Sequence, residues 1–182
     1  TGISYADVST GEFIAYEITG NGNAILAEIS RLNPKEVICP EKSGRVMAGL
    51  LDDYRFKGIY LNSYFDWAYG LESARKSLEE HFKTANLKGF GLEGMDAAIS
   101  AAGGLMRYLM DTQMNSLSHI NVLRVPDMNE HMVIDPTAAR NLELTQTIIE
   151  GNKRGSLLWL LDKTKTSLGA RLLKKVILRP LR

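Results

Sequence analysis

The 182-residue sequence lacks the marks of a membrane protein, a disulfide-stabilised domain and a nucleotide hydrolase. No apolar run approaches the roughly 20 residues of a membrane-spanning helix, and no basic segment followed by an apolar one opens the chain. The single cysteine, Cys39, excludes an internal disulfide. The phosphate-binding string GxxxxGK[ST] is absent. We therefore expect a cytoplasmic chain, without a membrane partner, that is not itself an enzyme.

Motifs for metal and acyl-transfer chemistry are missing as well. The three histidines, His81, His119 and His131, are far apart and have no spacing of the HxxxH kind. No serine lies in a GxSxG string. Cys39 follows an apolar pair and precedes a proline, so we expect its thiol to pack at the end of a strand and not to react.

What the sequence does have is the composition of a globular protein, with 45% apolar and 24% charged residues. Its net charge of +1 hides an asymmetry: residues 1–120 carry 11 basic and 15 acidic side chains, whereas residues 121–182 carry 11 and 6. This shift favours two modules with different surroundings. Because the chain starts at Thr1 without a methionine and ends shortly after Pro180, we also expect a fragment of a longer protein.

The first module alternates predicted strands and helices. Two β-rich runs, ISYADVS and FIAYEIT, flank a short turn at Gly11 and predict a hairpin with both faces partly covered. Small residues from Met95 to Met114 predict a helix that a neighbouring element approaches closely. Between them the pattern predicts, in order, a helix at 23–32, the strand EVICP, a helix capped by Ser43, the strand GIYL, and a helix with Trp67, Leu71, Ala74, Leu78 and Phe82 on one face. This order is typical of an α/β sandwich.

The second module is predicted to be mostly helical after two brief strands, VLRV and MVI. Asp135-Pro136 predicts a helix start, because aspartate caps free amides and proline fits the first turn. We expect that helix to reach about Ile149. SLLWLL predicts a short buried helix. Thr166 is the expected cap of a final helix that Pro180 ends, with an apolar stripe of Leu168, Leu172, Leu173, Val176 and Ile177.

The string GFGLEG, Gly89 to Gly94, fits the GxGxxG pattern of dinucleotide-binding folds, in which backbone amides approach a pyrophosphate at a helix N-terminus. That pattern requires a preceding strand, and only Asn86–Lys88 is available. The alternative is a hinge that leads into the Ala-rich helix, and the context favours the hinge.

Asp7 on the first strand and Glu12 across the turn form a carboxylate pair. A mixed sheet that opens with a hairpin and is flanked by helices is typical of the ribonuclease H-like architecture, where such carboxylates can hold Mg²⁺ for phosphodiester cleavage. No compelling further carboxylates lie at strand or helix ends. The alternative is structural, with Asp7 accepting hydrogen bonds from the turn Ser9-Thr10-Gly11. We favour the structural role.

The stretch from Lys163 to Arg182 contains seven basic residues and no acidic one. Such a face can contact nucleic-acid phosphates, and the candidate contacts are Lys165, Arg171, Lys174 and Lys175. The alternative is the solvated face of an amphipathic helix, whose basic residues near the C-terminus complement the helix dipole. We favour the solvated face.

Several strings make the sequence similar to the MutS family of DNA mismatch-recognition ATPases. GISYADVSTGEF and LNPKEVICP resemble parts of the family's connector domain, and FGLEGMDAAISAAGGLMRYLMDTQ resembles the helix that leads out of it. IDPTAARNLEL and GSLLWLLDKTKTSLGARLLKKVILRPL resemble the beginning of the core, or lever, domain. Val176 stands where the family commonly has tryptophan, so we expect the packing there to differ.

The resemblance implies a ribonuclease H-like mixed sheet flanked by helices in residues 1–115, followed by a mostly α-helical partial core domain in residues 116–182. It implies a fragment that couples mismatch-binding and ATPase domains and offers a docking surface for MutL. ATP with Mg²⁺, mismatched duplex DNA and a homodimer belong to the full-length protein, and no cofactor, metal ligand or catalytic residue is expected here. The rival function is a Mg²⁺-dependent ribonuclease H-like nuclease that uses Asp7 and Glu12.

Overall fold

The computed structural model describes residues 1–53, 56–113, 117–126, 132, 134 and 136–181, and it opens with an antiparallel hairpin. Strands β1 (Gly2–Asp7) and β2 (Glu12–Glu17) pair along their whole length, and Gly11 takes a positive φ of 74° in the turn. Side chains on both faces of β2 are buried: Phe13, Ile14, Ala15 and Tyr16. The predicted hairpin and its coverage on both faces are confirmed.

The chain then alternates helices and strands in the predicted order: α1 (Gly22–Leu32), β3 (Glu36–Pro40), α2 (Gly44–Leu51) and β4 (Tyr60–Tyr64). β3 and β4 pair in parallel over five residues each. β4 begins later than the GIYL run predicts, because the chain turns at Gly58, with a φ of 94°, before it enters the strand.

Helix capping differs from the prediction at α2. Ser43 precedes α2, but its hydroxyl makes no capping hydrogen bond. A 3-10 turn at Glu41–Ser43 gives Ser43 nearly helical backbone angles (φ −96°, ψ −6°) in place of the extended angles of a capping residue. α1 has a cap that was not predicted, since the Asn21 side chain accepts a hydrogen bond from the Asn23 amide at 3.1 Å.

A second 3-10 turn, Asp66–Tyr69, precedes α3 (Leu71–Phe82). Gly70 between them is extended (φ −61°, ψ 134°), so Trp67 is out of register with α3. Trp67 is therefore exposed, and its predicted place on the apolar face of that helix is wrong. Ala74 and Leu78 are fully buried on that face, as predicted.

α4 (Asp96–Thr112) packs on α3 and on the hairpin strands. Gly103 lies so close to α3 that an added Cβ would be 2.3 Å from the Cα of Ala74. Glu17 at the end of β2 caps α4, because its Oε1 accepts hydrogen bonds from the Ala97 and Ala98 amides at 2.9 and 3.2 Å. The predicted close approach of a neighbouring element to the small residues is confirmed.

The segment after α4 returns to the hairpin. β5 (Leu123–Arg124), within the predicted VLRV run, pairs in parallel with β2, so β1, β2 and β5 form a mixed sheet. His81 Nε2 donates to the carbonyl oxygen of Ile120 at 2.7 Å, and the side chains of Ile120 and Leu123 are buried in the core. The predicted α/β class, a small mixed sheet flanked by helices, is confirmed.

Two compact units make up the chain. Unit 1 comprises Thr1–Ile29 and Asn33–Pro126, and unit 2 comprises Ser30–Leu32 and Asp127–Arg182. Across the described ranges, no helix combines the length and the apolar character that crossing a bilayer requires.

In unit 2, α5 (Pro136–Asn141) ends well before the predicted Ile149. Glu143 takes a φ of 48°, and its amide and that of the next residue donate to carbonyl oxygens in the last helical turn. This pair of bonds is a Schellman motif, which terminates the helix. The predicted cap, Asp135, lies outside the described residues.

The predicted MVI strand is not formed by Met132 or Ile134, which lie in irregular structure, and Val133 lies outside the described residues. The amide of Met132 donates to the carbonyl oxygen of Pro180 at 2.9 Å.

Two further helices complete unit 2. α6 (Leu157–Leu161) buries only Leu158 among its four leucines, because so short a helix presents one side to the unit and the other to solvent. The predicted short helix is confirmed, but within SLLWLL only Ser156 and Leu158 are buried, so the predicted burial of the whole string is wrong. α7 (Ser167–Leu178) is capped as predicted by Thr166, whose Oγ accepts from the Gly169 amide at 3.1 Å.

Candidate interaction surfaces

The carboxylate of Asp7 holds the hairpin turn. Its Oδ1 accepts hydrogen bonds from the amide and the hydroxyl of Ser9 at 2.9 and 2.6 Å, and Glu12 lies opposite Asp7 in the ladder. No group of three or more His, Cys, Asp or Glu side chains that could hold a metal ion occurs in the described part of the chain, which leaves out His131. This arrangement supports the structural role of Asp7.

GFGLEG forms the connection between α3 and α4. Residues 83–87 before it contain no strand, and the chain passes through a 3-10 turn at Lys88–Phe90. Gly91 and Gly94 take positive φ values of 78° and 76°, which glycine adopts without strain. A dinucleotide fold needs a strand before this string, so the geometry favours the hinge.

Cys39 is buried on β3. Burial raises the pKa of its thiol, and a hydrogen bond with Ser63 offsets only part of that rise. A protonated thiol is a poor nucleophile. The role of the Cys39 side chain is therefore packing at β3.

An exposed pair of aromatic rings lies on the surface of unit 1. The Phe65 and Trp67 rings are stacked, with centroids 6.3 Å apart and planes 17° from parallel, and the side chains are 50% and 55% exposed. The Arg107 guanidinium, on α4, lies 5.6 Å from the centre of the Trp67 ring, within the range of a cation–π interaction. We call Phe65, Trp67 and Arg107 the aromatic patch.

The aromatic patch rests on the buried side chain of Tyr64. The Tyr64 ring lies 5.1 Å from that of Phe65 and 5.4 Å from that of Tyr108 on α4. Its hydroxyl donates to Asp111, which also pairs with Arg107 at 3.3 Å. Burial and the Asp111 carboxylate raise the pKa of the Tyr64 hydroxyl to about 12, so it remains a neutral donor. Packing and hydrogen bonds thus fix the base of the patch.

Helical spacing in the sequence predicted Trp67 on the apolar face of α3, and no pattern singled out Phe65 or Arg107. The available signal was Gly70, because a glycine directly after an aromatic run is a common break between helical segments. Nothing in the sequence pairs Arg107 with residues some forty positions earlier. That juxtaposition requires the packing of α4 on the 3-10 turn before α3.

The predicted basic contacts lie in unit 2. Arg171, Lys174 and Lys175 are exposed and share one face of α7 at i, i+3 and i+4. Lys165 is exposed before the helix begins, and Arg182 lies outside the described residues. The structure thus brings three of the four candidates together on one helix face, and phosphate contact by them stays a prediction.

An exposed apolar row borders the basic face of α7. Leu168, Leu172 and Val176 follow one another at i, i+4 and i+8, and each is more than half exposed. Leu173 and Ile177, the other members of the predicted stripe, are only partly exposed. The stripe is therefore divided between a face turned toward unit 2 and a face turned to solvent.

Comparison with known proteins gives a consistent result. A family model described as MutS domain II matches residues 1–121, and one described as MutS domain III matches residues 137–182. The DNA mismatch repair protein MutS of Lachnoclostridium phytofermentans is 43% identical over 99% of this chain and 19% of its own length. The protein of the same name from Symbiobacterium thermophilum is 41% identical over 99% of this chain and 21% of its own length.

The chain thus spans about a fifth of the length of these curated relatives. The two family models leave residues 122–136 between them, and the compact units divide after Pro126. The predicted boundary between residues 115 and 116 stays a prediction. Since one family model alone covers more than half of the sequence, the chain belongs to the MutS family.

Proposed function

We propose that this chain is a non-catalytic connector and core segment of a DNA mismatch repair protein. The observation that supports the proposal best is that two adjacent domains of one family match nearly all of the chain, while Asp7 and Cys39 are engaged in a turn and in packing. In this role, residues 1–115 form the connector and residues 116–182 begin the core. The segment couples a mismatch-binding domain to an ATPase domain.

The partners belong to the same proposal. Unit 1 offers a docking surface for MutL, whereas mismatched duplex DNA, ATP with Mg²⁺ and a second MutS subunit bind the longer protein. The segment holds no cofactor of its own and acts in the cytoplasm. Candidate phosphate contacts remain on the basic face of unit 2: Lys165, Arg171, Lys174 and Lys175.

A coupling element must be stiff, because a soft one absorbs displacement. In unit 1, α4 is fixed to the hairpin through Glu17, to α3 at Gly103, and to β3 through Tyr108, whose hydroxyl donates to Glu36 at 2.6 Å. A displacement of α4 therefore also displaces the hairpin, α3 and β3. This architecture supports a transmitting role.

Binding to purified MutL tests the docking part of the proposal. We expect the full 182-residue chain to form a saturable complex in isothermal titration calorimetry, and we expect the heat-unfolded chain to give no such signal. If the folded chain gives no measurable complex, the docking part is refuted.

Two further assays address the nucleic-acid predictions. Incubated with DNA or RNA and Mg²⁺ or Mn²⁺, the chain should cleave nothing; cleavage that disappears in Asp7→Asn would establish the rival nuclease. Retardation of a duplex that weakens with salt and is lost when Lys174 and Lys175 are both changed to Gln would support the phosphate contacts. Unchanged mobility of the duplex would refute the predicted phosphate contacts.

A further inference from the structure

Ten residues that follow α4 lie along the hairpin of unit 1, and we call residues 117–126 the anchor segment. All ten are described by the structure, and β5 supplies just two residues of regular secondary structure among them. The other eight form neither helix nor strand. Contacts with the rest of unit 1 must therefore hold most of the anchor segment in place.

Three apolar side chains of the anchor segment enter the core of unit 1. Leu117, Ile120 and Leu123 follow one another at intervals of three residues, and each is less than a tenth exposed. They belong to the same buried cluster as Phe13 of β2 and the core residues of α3 and α4. Val122 between them is 44% exposed. The segment thus buries one side against unit 1, and the hydrophobic effect holds that side in place.

Two histidines add hydrogen bonds to this apolar contact. His119 donates from Nε2 to the carbonyl oxygen of Val8 at 2.7 Å, and His81 on α3 donates from Nε2 to that of Ile120, also at 2.7 Å. A carbonyl oxygen can only accept, so each imidazole carries a proton on Nε2. The backbone of His119 also lies against the hairpin turn, where a Cβ on Gly11 would be 2.5 Å from its carbonyl oxygen.

The hairpin receives most of these contacts. β5 pairs in parallel with Phe13 and Ile14 of β2, and His119 bonds to the chain directly after β1. At the far end of β2, Glu17 accepts hydrogen bonds from the first amides of α4. The anchor segment and α4 are therefore joined through β2 as well as through the chain.

We propose that displacement passes between unit 1 and the chain that continues into unit 2 at the anchor segment, and that His119 is a positioning residue for this coupling. The inference rests on the proposed coupling function, to which it adds a place. Unit 1 ends at Pro126, the last residue of the anchor segment. Because the segment is held to β2, a pull on the chain beyond Pro126 is delivered to the hairpin. A segment held by its chain alone would extend instead, as a flexible linker does.

Amide hydrogen exchange of the 182-residue chain tests the anchoring. His119→Ala removes the hydrogen bond to Val8 and should speed exchange in residues 117–126 about 5-fold, the effect of losing one ordinary hydrogen bond. Exchange in α4 should not change, because the segment opens locally. Val122→Ala, at an exposed side chain of the same segment, is the matched control and should leave exchange unchanged.

Two results of the exchange experiment would overturn the inference. One is equal exchange of residues 117–126 in His119→Ala and in the parent chain, because the bond would then hold nothing. The other is equal acceleration throughout unit 1, because His119 would then stabilise the whole unit and not the anchor segment.

The longer mismatch repair protein tests the coupling itself. The measured quantity is the ratio of its ATP hydrolysis rates with mismatched and with perfectly paired duplex. His119→Ala should bring that ratio towards one without changing the affinity for mismatched duplex. His119→Gln, which keeps an N–H donor, should restore the ratio. A purely structural loss would instead lower the affinity and both rates together.

The same measurement separates the two levels of the proposal. A ratio of one in the parent protein would refute the coupling function, and the role of the anchor segment with it. A different ratio that His119→Ala leaves unchanged would refute the role of the anchor segment alone, and the coupling function would stand.

Discussion

Replacing Gly103 with alanine should destabilise unit 1, even though alanine is the better helix former. Gly103 lies inside α4, where α4 crosses α3. A Cβ added at this position would be 2.3 Å from both the Cα and the Cβ of Ala74, and 2.8 Å from its carbonyl carbon. Carbon atoms in good contact are about 3.5–4.0 Å apart. The two helices must therefore separate to admit one methyl group.

Two opposing contributions set the size of the effect. Helix propensity favours alanine over glycine by about 0.8–1.0 kcal/mol. Overpacking a well-packed core costs about 1–3 kcal/mol, and the upper end applies here because the obstructing atoms include the backbone of α3, which no rotamer change can move. We therefore expect Gly103→Ala to lower the free energy of unfolding by about 2 kcal/mol.

Gly49 in α2 provides the matched control. It is also a helical glycine, but nothing lies within 4 Å of the Cβ that alanine would add. Gly49→Ala should raise the free energy of unfolding by about 0.5–1 kcal/mol. Both variants are compared by urea unfolding, followed through Trp67 fluorescence in a Trp159→Phe background. A Gly103→Ala chain as stable as the parent would show that α3 and α4 are not in such close contact.

Three further predictions concern the core, a helix cap and pH. Met106→Ala, at a fully buried position, should cost about 2–5 kcal/mol of unfolding free energy in urea, whereas Met110→Ala on the exposed side of α4 should cost less than about 1. Glu17→Ala should cost about 0.5–2 kcal/mol by uncapping α4, measured by thermal unfolding, and Glu17→Gln should recover part because it keeps an acceptor oxygen. A lysine and a threonine that donate to Asp162 lower its pKa to about 2; its stabilising contribution is therefore full above the ordinary aspartate pKa and is lost as the pH falls through about 2. The loss is followed through the fluorescence of the α6 tryptophan while the chain is titrated with acid. Asp162→Asn should show a smaller loss than the parent chain, and identical titration curves for the two chains would contradict the prediction.

The hairpin and α4 can be predicted from the sequence because their signals are local and mutually consistent. Six-residue strands with apolar residues on both faces flank a short glycine turn, and a 17-residue segment keeps helical spacing throughout. Gly103 indicates the close helix contact for the same reason, because its signal is also local. A glycine pair inside a long helix costs stability unless a neighbour needs the space, and Ala74 is that neighbour.

The end of α5 depends on contacts that no local pattern reports. Glu143 adopts the left-handed conformation that usually requires glycine or asparagine. The carbonyl oxygens of Glu143 and Leu144 accept hydrogen bonds from the amides of Leu157 and Leu158, far along the chain. Continuing the helix to Ile149 would forfeit these bonds. Tertiary hydrogen bonding therefore overrides a helical pattern that is plausible by itself.

The candidate site was less predictable than the fold because its members are distant in sequence. Trp67 belongs to a 3-10 turn that Phe65 directly precedes, whereas Arg107 belongs to α4, and only the packing of those elements unites them. The basic face of α7 shows the opposite case. Its members lie within five residues of one another, so spacing alone places them on one face, yet spacing cannot tell phosphate contact from simple solvation.

The two units expose apolar side chains in physically different ways, and the difference bears on what each surface can do. On α7 the exposed row is aliphatic and follows the i, i+4, i+8 ridge that one helix offers to another. In unit 1 the exposed rings are few, and a tyrosine below them and a paired arginine beside them hold them in place. A ridge of aliphatic side chains gains stability in proportion to the area covered, whereas a fixed aromatic and arginine cluster concentrates affinity in a small contact. The exposed side chains of unit 1 therefore form a small fixed cluster, whereas those of α7 form an extended ridge.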